Sequence, residues 1–266
     1  MNSLSPPDAT PPAPVPPSVT PPAPVPLSAT APPSVLAAWL ADAAGLLLPV
    51  SCAGCDARDQ VVCPTCRAEL SPRLATVRAG PFPGPVVVAL DYGGAVARVL
   101  SAVKEHGRTD AVRLLAPAMR AALSCALSPS AARGATDVQI VTMPSAREAV
   151  RRRGYRPVDL LVRRAGFSVA RPPGLTLVRA IADQAGLSAS ERGANLRGAM
   201  RASGALTGRP VLLVDDVLTT GSTLVEAHRA ISERGGVVVA AACLAHTAKR
   251  KMTERGLTGD SPRLAQ

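Results

Sequence analysis

The residues best suited to chemistry lie at 211–224, which read VLLVDDVLTTGSTL. The opening apolar run is typical of a central parallel strand, and Asp215 and Asp216 follow at its carboxyl end, where open parallel sheets bind ligands. Gly221 allows a tight turn, and the helix expected next offers free N–H groups to a phosphate. Four loop hydroxyls add donors: Thr219, Thr220, Ser222 and Thr223. The pattern predicts two carboxylates for a sugar diol beside a phosphate-binding loop. The alternative is an ordinary strand–turn–helix whose aspartates cap and turn the chain.

Other phosphate-binding motifs are absent from the sequence. There is no G-x-x-x-x-G-K-[ST] loop, and no G-x-G-x-x-G follows a strand. Neither a P-loop nucleotide hydrolase nor a dinucleotide-binding fold is therefore indicated. The histidines have no partner motif, so we expect packing or surface roles for His106, His228 and His246.

Basic side chains are the second chemical feature. The net charge is +11, and the segment from Arg133 to Arg209 holds 14 basic and five acidic residues. The excess can reflect the codon usage of a GC-rich genome or a solvated basic face. The interpretation tied to chemistry is an anion site near the end of a strand at 137–142. By position and charge, the candidates for binding a pyrophosphate are Lys104, Arg147, Arg151 and Arg153.

Four of the six cysteines form a C-x2-C-x7-C-x2-C pattern: Cys52, Cys55, Cys63 and Cys66. Each C-x-x-C turn can direct two thiolates to one point, and two turns complete the tetrahedral sulfur shell that zinc prefers. Such a shell has no open position, so the predicted Zn²⁺ is structural and contributes folding energy. The alternatives are a redox pair or two unliganded turns. Cys125 and Cys243 are expected to be small core residues.

Alternating strands and helices must position these groups. Strands are predicted at 86–92, 137–142, 211–216 and 237–245. Helices are predicted at 95–107, at about 110–127, along the arginine-rich 147–164, and at 223–234. The segment 171–200 is expected to be a long loop or short helices. This alternation predicts an α/β fold with a mainly parallel sheet flanked by helices.

The N-terminal 33 residues hold 13 of the 27 prolines and repeat the decapeptides PPAPVPPSVT and PPAPVPLSAT. This composition is typical of polyproline II or a solvated tail, with a PxxP-type ligand as the alternative. Residues 34–50 are apolar-leaning, but Asp42 interrupts them and Pro49 ends them short of a membrane span. Because no basic n-region precedes this stretch, we expect no signal peptide. We expect an amphipathic or buried helix at 35–47, no membrane insertion and a cytoplasmic protein.

The predicted organisation has four parts. A disordered Pro-rich tail at 1–33 precedes a helix and four-cysteine zinc module at 34–79. The α/β domain follows at 80–250, and a flexible tail ends the chain at 251–266.

Residues 211–224 resemble the phosphoribosyl-pyrophosphate (PRPP) signature of type I phosphoribosyltransferases, which has four apolar residues, two acidic residues and a loop of threonine, serine and glycine. The order of features is similar to that of the ComF/GntX family, associated with competence and DNA uptake. A four-cysteine module precedes a tyrosine-glycine strand end with a helix and lysine at 91–108, then a strand and basic loop at 140–161, a segment at 182–200 and the PRPP motif. The similarity covers roughly 35–247.

The family patterns are matched in most positions and altered in a few. In R-x-R-G-[FY]-N-Q, the sequence keeps Arg151, Arg153, Gly154 and Tyr155, while Arg156 and Pro157 replace Asn-Gln. In V-P-[VM]-P, Thr142 replaces the first proline. In Q-x-x-L-[ST]-x-x-x-R-x-x-N-[LV]-x-x-[AS]-F, Met200 replaces the aromatic, and the matching residues are Gln184, Leu187, Ser188, Arg192, Asn195 and Leu196. The departures concern the acceptor side of the site and leave the PRPP motif intact.

The resemblance implies a type I phosphoribosyltransferase-like fold with a small N-terminal zinc-ribbon-like module. It implies that Asp215 and Asp216 bind the ribose hydroxyls, that the Thr219–Thr223 loop cradles the 5′-phosphate, and that Mg²⁺ accompanies the pyrophosphate. The reaction would be substitution at ribose C1 by a base or amine, as in pentosyl-transferring glycosyltransferases. Asp183 and Glu191 are the weak candidates for a general base. A homodimer is also implied.

Three functions stay open on the sequence. The first is a PRPP-dependent phosphoribosyltransferase. The second is a non-catalytic PRPP- or nucleotide-binding accessory factor in DNA uptake or DNA processing. The third is a protein that contacts single-stranded DNA, or the DNA-uptake machinery, through the arginine-rich 147–164. Aromatic residues are only 2% of the chain, which weighs against a base-stacking surface.

Overall fold

The computed structural model describes residues 50–128, 134–179 and 194–247. The strands in these residues are β1 (Ala75–Val77), β2 (Val86–Asp91), β3 (Gln139–Thr142), β4 (Leu175–Leu177), β5 (Met200–Ala202), β6 (Pro210–Leu218) and β7 (Val237–His246). The helices that concern the site are α1 (Pro64–Glu69), α2 (Gly94–Glu105), α3 (Val112–Ala126), α4 (Arg147–Arg153), α5 (Pro157–Arg164) and α6 (Ser222–Ser232).

The main sheet has the strand order β1-β2-β7-β6-β3. Its last four strands run parallel, and β1 pairs antiparallel with β2 at the edge. Central parallel strands are covered on both faces, and the unbroken apolar runs of β2, β6 and β7 are buried accordingly. The fold is therefore the mainly parallel α/β sheet flanked by helices that the alternation of elements predicts.

Alternate residues of each central strand face two separate cores. Leu212 and Val214 of β6 pack with residues of α2, α3 and α5, whereas Val211 and Leu213 pack with residues of α6. Side chains that alternate across a strand explain this division. The register pairs Thr142 with Val214 and Asp215 with Cys243, so the carboxyl ends of β3 and β6 lie side by side.

The arginine-rich segment differs from the single helix predicted. Gly154 adopts a left-handed conformation (φ 77°) at the end of α4, and Pro157 begins α5. Glycine commonly ends a helix in this way, and proline is favoured at the first helical position.

The segment 171–200, predicted as a long loop or short helices, contains β4, and β5 begins at its last residue. Leu175 of β4 pairs with Ala202 of β5, and the two strands form a separate antiparallel sheet. At three residues each, the strands are too short for a pattern of alternation to reveal them.

Several predictions fall outside the described residues: the Pro-rich tail, the helix at 35–47, most of the segment 182–200 and the C-terminal tail. Within the described residues, no helix combines the length and apolar character that crossing a membrane requires.

Candidate functional site: a carboxylate pair beside a glycine turn

The adjacent carboxylates lie on β6 and meet a lysine from a distant helix. Lys104, in the last turn of α2, places its Nζ 2.6 Å from Oδ2 of Asp216. The backbone N–H of Asp216 donates to Oδ1 of Asp215 at 2.8 Å. Among the described residues, one cation and one backbone donor therefore stabilise two neighbouring negative groups.

Burial makes this arrangement sensitive to pH near neutrality. Burial raises the pKa of Asp215, the neighbouring Asp216 raises it further, and the Asp216 N–H and Lys104 lower it, with a result of about 7. Burial lowers the pKa of Lys104, but Asp216 outweighs burial and leaves that pKa above its usual value. Lys104 is thus held as a cation, while Asp215 can take up a proton.

The turn after β6 depends on glycine. Gly221 has φ 81°, in the left-handed region, and a Cβ there would lie 2.8 Å from Cβ and 2.9 Å from O of Ala79. No side chain caps α6 at Gly221, so its first N–H groups have no capping partner from that residue. Thr220 Oγ1 and Ser222 Oγ are 2.9 Å apart, which orders the hydroxyls at the helix start.

A cleft of about 360 Å³ opens in front of the carboxylate pair. Among the residues predicted from sequence, it brings together Lys104, Arg153, Asp215, Asp216 and Thr223. We call this the acidic-pair cleft. Arg147, Arg151 and Thr219 are exposed and do not line it, and neither do Thr220, Gly221 and Ser222.

Arg153 differs from its neighbours on α4 in its surroundings. Its Nε is buried and has no hydrogen-bond partner among the described residues, and its Nη2 is 3.8 Å from Oε1 of Glu105. Its side chain is 14% exposed, against 66% for Arg152. A buried guanidinium nitrogen without a partner fits an anion that enters the cleft.

Other residues that line the cleft were not predicted as site residues. They include Glu105, the turn residues after β3 (Met143, Pro144, Ser145 and Ala146), and the apolar Leu196 and Met200. The signals that could have pointed to them are Pro144 directly after a predicted strand and the family pattern that includes Leu196 and Met200.

A buried ion pair fastens β5 to α6 at the edge of the cleft. Glu226, 4% exposed, accepts hydrogen bonds from the Met200 N–H at 3.0 Å and from Arg229 Nε at 2.8 Å. Arg229 also donates to the Met200 carbonyl at 3.1 Å. Burial opposes ionisation of Glu226, but Arg229 and the backbone N–H groups outweigh it and lower its pKa.

The four patterned cysteines converge as predicted. Their sulfur atoms all lie within 4.8 Å of one another, with Cys52, Cys63 and Cys66 buried and Cys55 exposed. Gly54 allows this approach, because a Cβ there would lie 2.7 Å from Sγ of Cys66. Four sulfur donors at one point could hold a metal ion, and their softness suits zinc.

Backbone N–H groups stabilise the thiolate form of one cysteine in this cluster. Burial raises the pKa of Cys52, but the N–H groups of Cys63 and Gly54, whose bonds to its Sγ are 3.2 and 3.3 Å, outweigh burial and lower that pKa to about 6. Burial and the neighbouring thiols raise the pKa of Cys66. Thiolates are the form of cysteine that binds metal, so a bound cation would stabilise the charged sulfur atoms that burial and the neighbouring thiols disfavour.

The cysteine module is joined to the rest of the fold by hydrogen bonds. Arg98 of α2 donates to the Gly54 carbonyl, and Arg108 donates to the Ser51 carbonyl at 3.0 Å. Glu69 of α1 accepts the Ala95 N–H at 2.8 Å, at the start of α2. The helix that carries Lys104 is thus held at its first turns by the module.

The three histidines and the two cysteines outside the cluster lie in packed or surface positions. His228 packs edge-to-face against Phe82, with ring centroids 6.1 Å apart, and His246 Nδ1 lies 3.5 Å from Asp91 Oδ1. His106 is exposed, Cys243 is fully buried, and Cys125 is partly buried.

The chain is similar to several known proteins. Residues 149–260 match the family described as phosphoribosyl transferase domain. The DNA utilization protein YhgH of Escherichia coli (strain K12) is 30% identical over 207 residues, which are 74% of this chain and 88% of that protein. The Salmonella typhi protein of the same name is 35% identical over 112 residues, 41% of this chain and 49% of its own length.

The chain is also similar to solved structures. The crystal structure of Mycobacterium tuberculosis H37Rv orotate phosphoribosyltransferase in complex with inorganic phosphate is 21% identical to the chain, with a TM-score of 0.29, over 70% of this chain and 88% of that one. From the YhgH relatives and the matched domain, the chain belongs to the family of ComF-like DNA utilization proteins that contain a phosphoribosyl transferase domain.

Proposed function

We propose that the chain binds PRPP with Mg²⁺ in the acidic-pair cleft and transfers its phosphoribosyl group to a base or amine. The observation that carries the proposal is the meeting, in one cleft, of Asp215 and Asp216 with Lys104, Arg153 and the start of α6. Carboxylates suit a sugar diol, and the cations and helix N-terminus suit phosphates.

In this proposal the carboxylates accept hydrogen bonds from the ribose 2′- and 3′-hydroxyls. Lys104 lies 2.6 Å from Asp216, so the diol competes with its ammonium group. Displaced from Asp216, Lys104 is free to stabilise the departing pyrophosphate together with Arg153. The loop of Thr219, Thr220, Gly221, Ser222 and Thr223 surrounds the 5′-phosphate at the rim of the cleft, which Thr223 lines.

The chemistry would be mainly electrostatic. As the bond between ribose C1 and pyrophosphate breaks, negative charge grows on the leaving group, and fixed cations in a partly buried cleft stabilise it. Mg²⁺ would supply further neutralisation of the pyrophosphate. The cleft supplies positioning, which brings the acceptor nitrogen and C1 together.

The proposal includes a structural Zn²⁺ held by Cys52, Cys55, Cys63 and Cys66. The fit rests on the donor set, since four sulfur atoms within 4.8 Å of one another match a closed tetrahedral shell. The proposal also includes a zinc module at 34–79, an α/β domain at 80–250, a cytoplasmic location and a homodimer.

Titration of the full chain with PRPP and Mg²⁺ by calorimetry tests the binding half. We expect saturable binding that falls at least about tenfold in the Asp215→Asn/Asp216→Asn variant, because two charge-assisted hydrogen bonds are weakened. The matched control is Asp56→Asn/Asp59→Asn, two exposed aspartates of the cysteine module. No binding by the unmodified chain would refute the proposal.

A second candidate function is favoured by the arginines and by the relatives. An accessory factor in DNA uptake or processing would bind PRPP without releasing pyrophosphate, or would contact single-stranded DNA through the exposed arginines of α4 and α5. Pyrophosphate release over a panel of bases and amines separates transfer from binding alone. Direct DNA contact requires an affinity that falls steeply with salt and is lost in Arg151→Gln/Arg152→Gln.

A further inference from the structure

A second cavity, of about 250 Å³, shares no lining residue with the acidic-pair cleft. Its polar wall is formed by Thr142, Arg156, Asp159, Arg163 and Arg171, and the segment 169–174 supplies an apolar wall. We call it the arginine pocket. Two of its residues, Thr142 and Arg156, are positions at which the sequence departs from the family patterns.

Backbone contacts with β3 fix one wall of the arginine pocket. The segment 169–174 lies along β3, where the Ala170 N–H donates to the Ile140 carbonyl at 2.9 Å. At Gly174 a Cβ would lie 2.7 Å from Cγ2 of Val141, so the chain approaches the strand as closely as glycine allows. On the other wall, Arg156, Asp159 and Arg163 are spaced three and four residues apart, which places them on one face of α5 and its first turn.

The charge of the pocket is unbalanced. Three guanidinium groups line it with one carboxylate, and Oδ1 of that carboxylate accepts the Thr142 hydroxyl at 2.5 Å. Within residues 50–128, 134–179 and 194–247, none of the three arginines has a carboxylate within 4.0 Å. Arg156 is half-buried, and Arg163 and Arg171 are exposed at the mouth of the pocket. Three guanidinium groups against one carboxylate leave two net positive charges, which favours an anion there.

We propose that the arginine pocket binds a phosphate monoester group. Guanidinium forks match pairs of phosphate oxygens, and two net positive charges match a dianion. The cavity lies just below the roughly 300 Å³ at which sites for larger organic ligands begin, so it suits a compact group. The apolar wall of Val169, Ala170 and Pro173 would contact the carbon side of the ester.

The test is a calorimetric titration of the full chain with inorganic phosphate. Three double variants that each remove two positive charges are compared: Arg163→Gln/Arg171→Gln in the pocket, Lys104→Gln/Arg153→Gln in the acidic-pair cleft, and Arg67→Gln/Arg113→Gln on exposed helix surfaces. We expect one binding event to weaken at least about tenfold in the pocket variant and to persist in the other two. Thermal unfolding checks that each variant is folded.

Equal phosphate affinity in the pocket variant and the unmodified chain would overturn the proposal. So would loss of the same event in the helix-surface variant, which would mark it as a general effect of charge. These outcomes do not depend on whether the chain binds PRPP. The phosphate-binding event assigned to the arginine pocket is identified only by its weakening in Arg163→Gln/Arg171→Gln.

A second arm identifies the source of the phosphate. A 5′-phosphorylated single-stranded oligonucleotide is compared with the same strand lacking the phosphate. Preference for the phosphorylated strand, lost in the pocket variant, supports a terminal phosphate of nucleic acid, whereas binding of inorganic phosphate alone supports a small phosphate compound. Equal binding of both strands, lost in the pocket variant, would assign the pocket to backbone phosphodiesters and overturn the monoester proposal.

Discussion

Two adjacent aspartates on one buried strand are costly unless the fold compensates for their charge. Here the compensation is a lysine 2.6 Å from Asp216 and a backbone N–H 2.8 Å from Asp215. Burial and the neighbouring Asp216 outweigh this compensation, so the pKa of Asp215 rises to about 7. The same feature that destabilises the pair makes it ready to accept hydrogen bonds from a ligand.

Asp215 should make stability fall as pH rises. Its pKa is 3.8 ordinarily and about 7 in the folded chain, so between these values the folded state keeps a proton that the unfolded state has lost. The free energy of unfolding should then decrease by up to about 1.4 kcal/mol per pH unit in this window. Asp215→Asn should flatten the slope in urea unfolding between pH about 4 and about 7, and the exposed Asp59→Asn should leave it unchanged.

Removal of Lys104 should be costly above neutral pH. Lys104→Met leaves both carboxylates without their cation, and we expect the free energy of unfolding to drop by about 2 to 3 kcal/mol at pH about 8. The comparison is Arg152→Gln, which breaks an ion pair of 3.1 Å to Glu105 whose side chains are 66% and 48% exposed. That change should cost less than about 0.5 kcal/mol in the same urea titration. Equal losses of unfolding free energy in the two variants would show that the partly buried Lys104–Asp216 pair stabilises the fold no more than an exposed ion pair does.

At the scale of elements, two contacts shape the site. The β6–α6 turn passes close to Ala79 only because Gly221 has no side chain, and Glu226 fastens α6 to β5 beside the cleft. Both contacts join segments far apart in sequence. The position of the loop at 219–223 is therefore set by tertiary packing as well as by its own residues.

Gly221→Ala should destabilise the protein more than a glycine replacement in open space. The new Cβ adds the cost of a left-handed conformation to a clash with Ala79, together about 2 kcal/mol or more. Gly107→Ala is the matched control, because Gly107 also has positive φ (68°) but a Cβ there would meet no heavy atom within 4 Å. Urea unfolding should show a loss of about 1 kcal/mol for the control. If Gly221→Ala costs no more, close packing at the turn is not what selects glycine.

Glu226→Gln should loosen β5. The glutamate is buried and accepts from Arg229 and the Met200 N–H, so neutralising it should cost about 2 kcal/mol. Its pKa is lowered in the fold, so this stability is present above its ordinary pKa of 4.5 and is lost as pH falls below it. Glu233→Gln removes the exposed partner of the same arginine and should cost under about 0.5 kcal/mol. Hydrogen exchange at Met200–Ala202 should rise in the first variant and stay unchanged in the second.

At the scale of the whole molecule, the cysteine module and the sheet share a core. Cys52, Cys63 and Cys66 pack in the same cluster as the buried faces of α2 and α3. The module also holds the start of α2, whose last turn carries Lys104. Disturbance of the cysteine site should therefore reach the acidic-pair cleft.

Zinc analysis of the purified full chain should find about one ion per molecule. Cys63→Ser or treatment with a strong chelator should remove the ion and lower the free energy of unfolding by several kcal/mol, because metal binding contributes folding energy. Cys125→Ser, at a partly buried cysteine of α3 outside the cluster, should keep the ion. Retention of full zinc content in Cys63→Ser would refute the four-sulfur site.

Sequence reasoning reached furthest where the decisive spacing is local. The strand–turn–helix of residues 211–224 and the two C-x-x-C turns are short, and backbone geometry alone brings their groups together. The alternation of buried strands and amphipathic helices predicted the parallel α/β sheet for the same reason. The antiparallel β4–β5 pair was not predicted because short strands carry little periodic signal. The break at Gly154 was not predicted because an arginine-rich pattern continues across it.

The sequence by itself determined which groups lie together in local structure: the aspartate pair, the glycine turn and the four cysteines. Only the tertiary structure decided which cations accompany them, because Lys104 and Asp216 are brought together by the packing of α2 against the sheet. It also separated the buried Arg153 from the exposed Arg151 and gathered Arg156, Arg163 and Arg171 around one cavity. Local spacing is set by covalent geometry, whereas the choice among similar arginines depends on long-range burial, which no single stretch of sequence encodes.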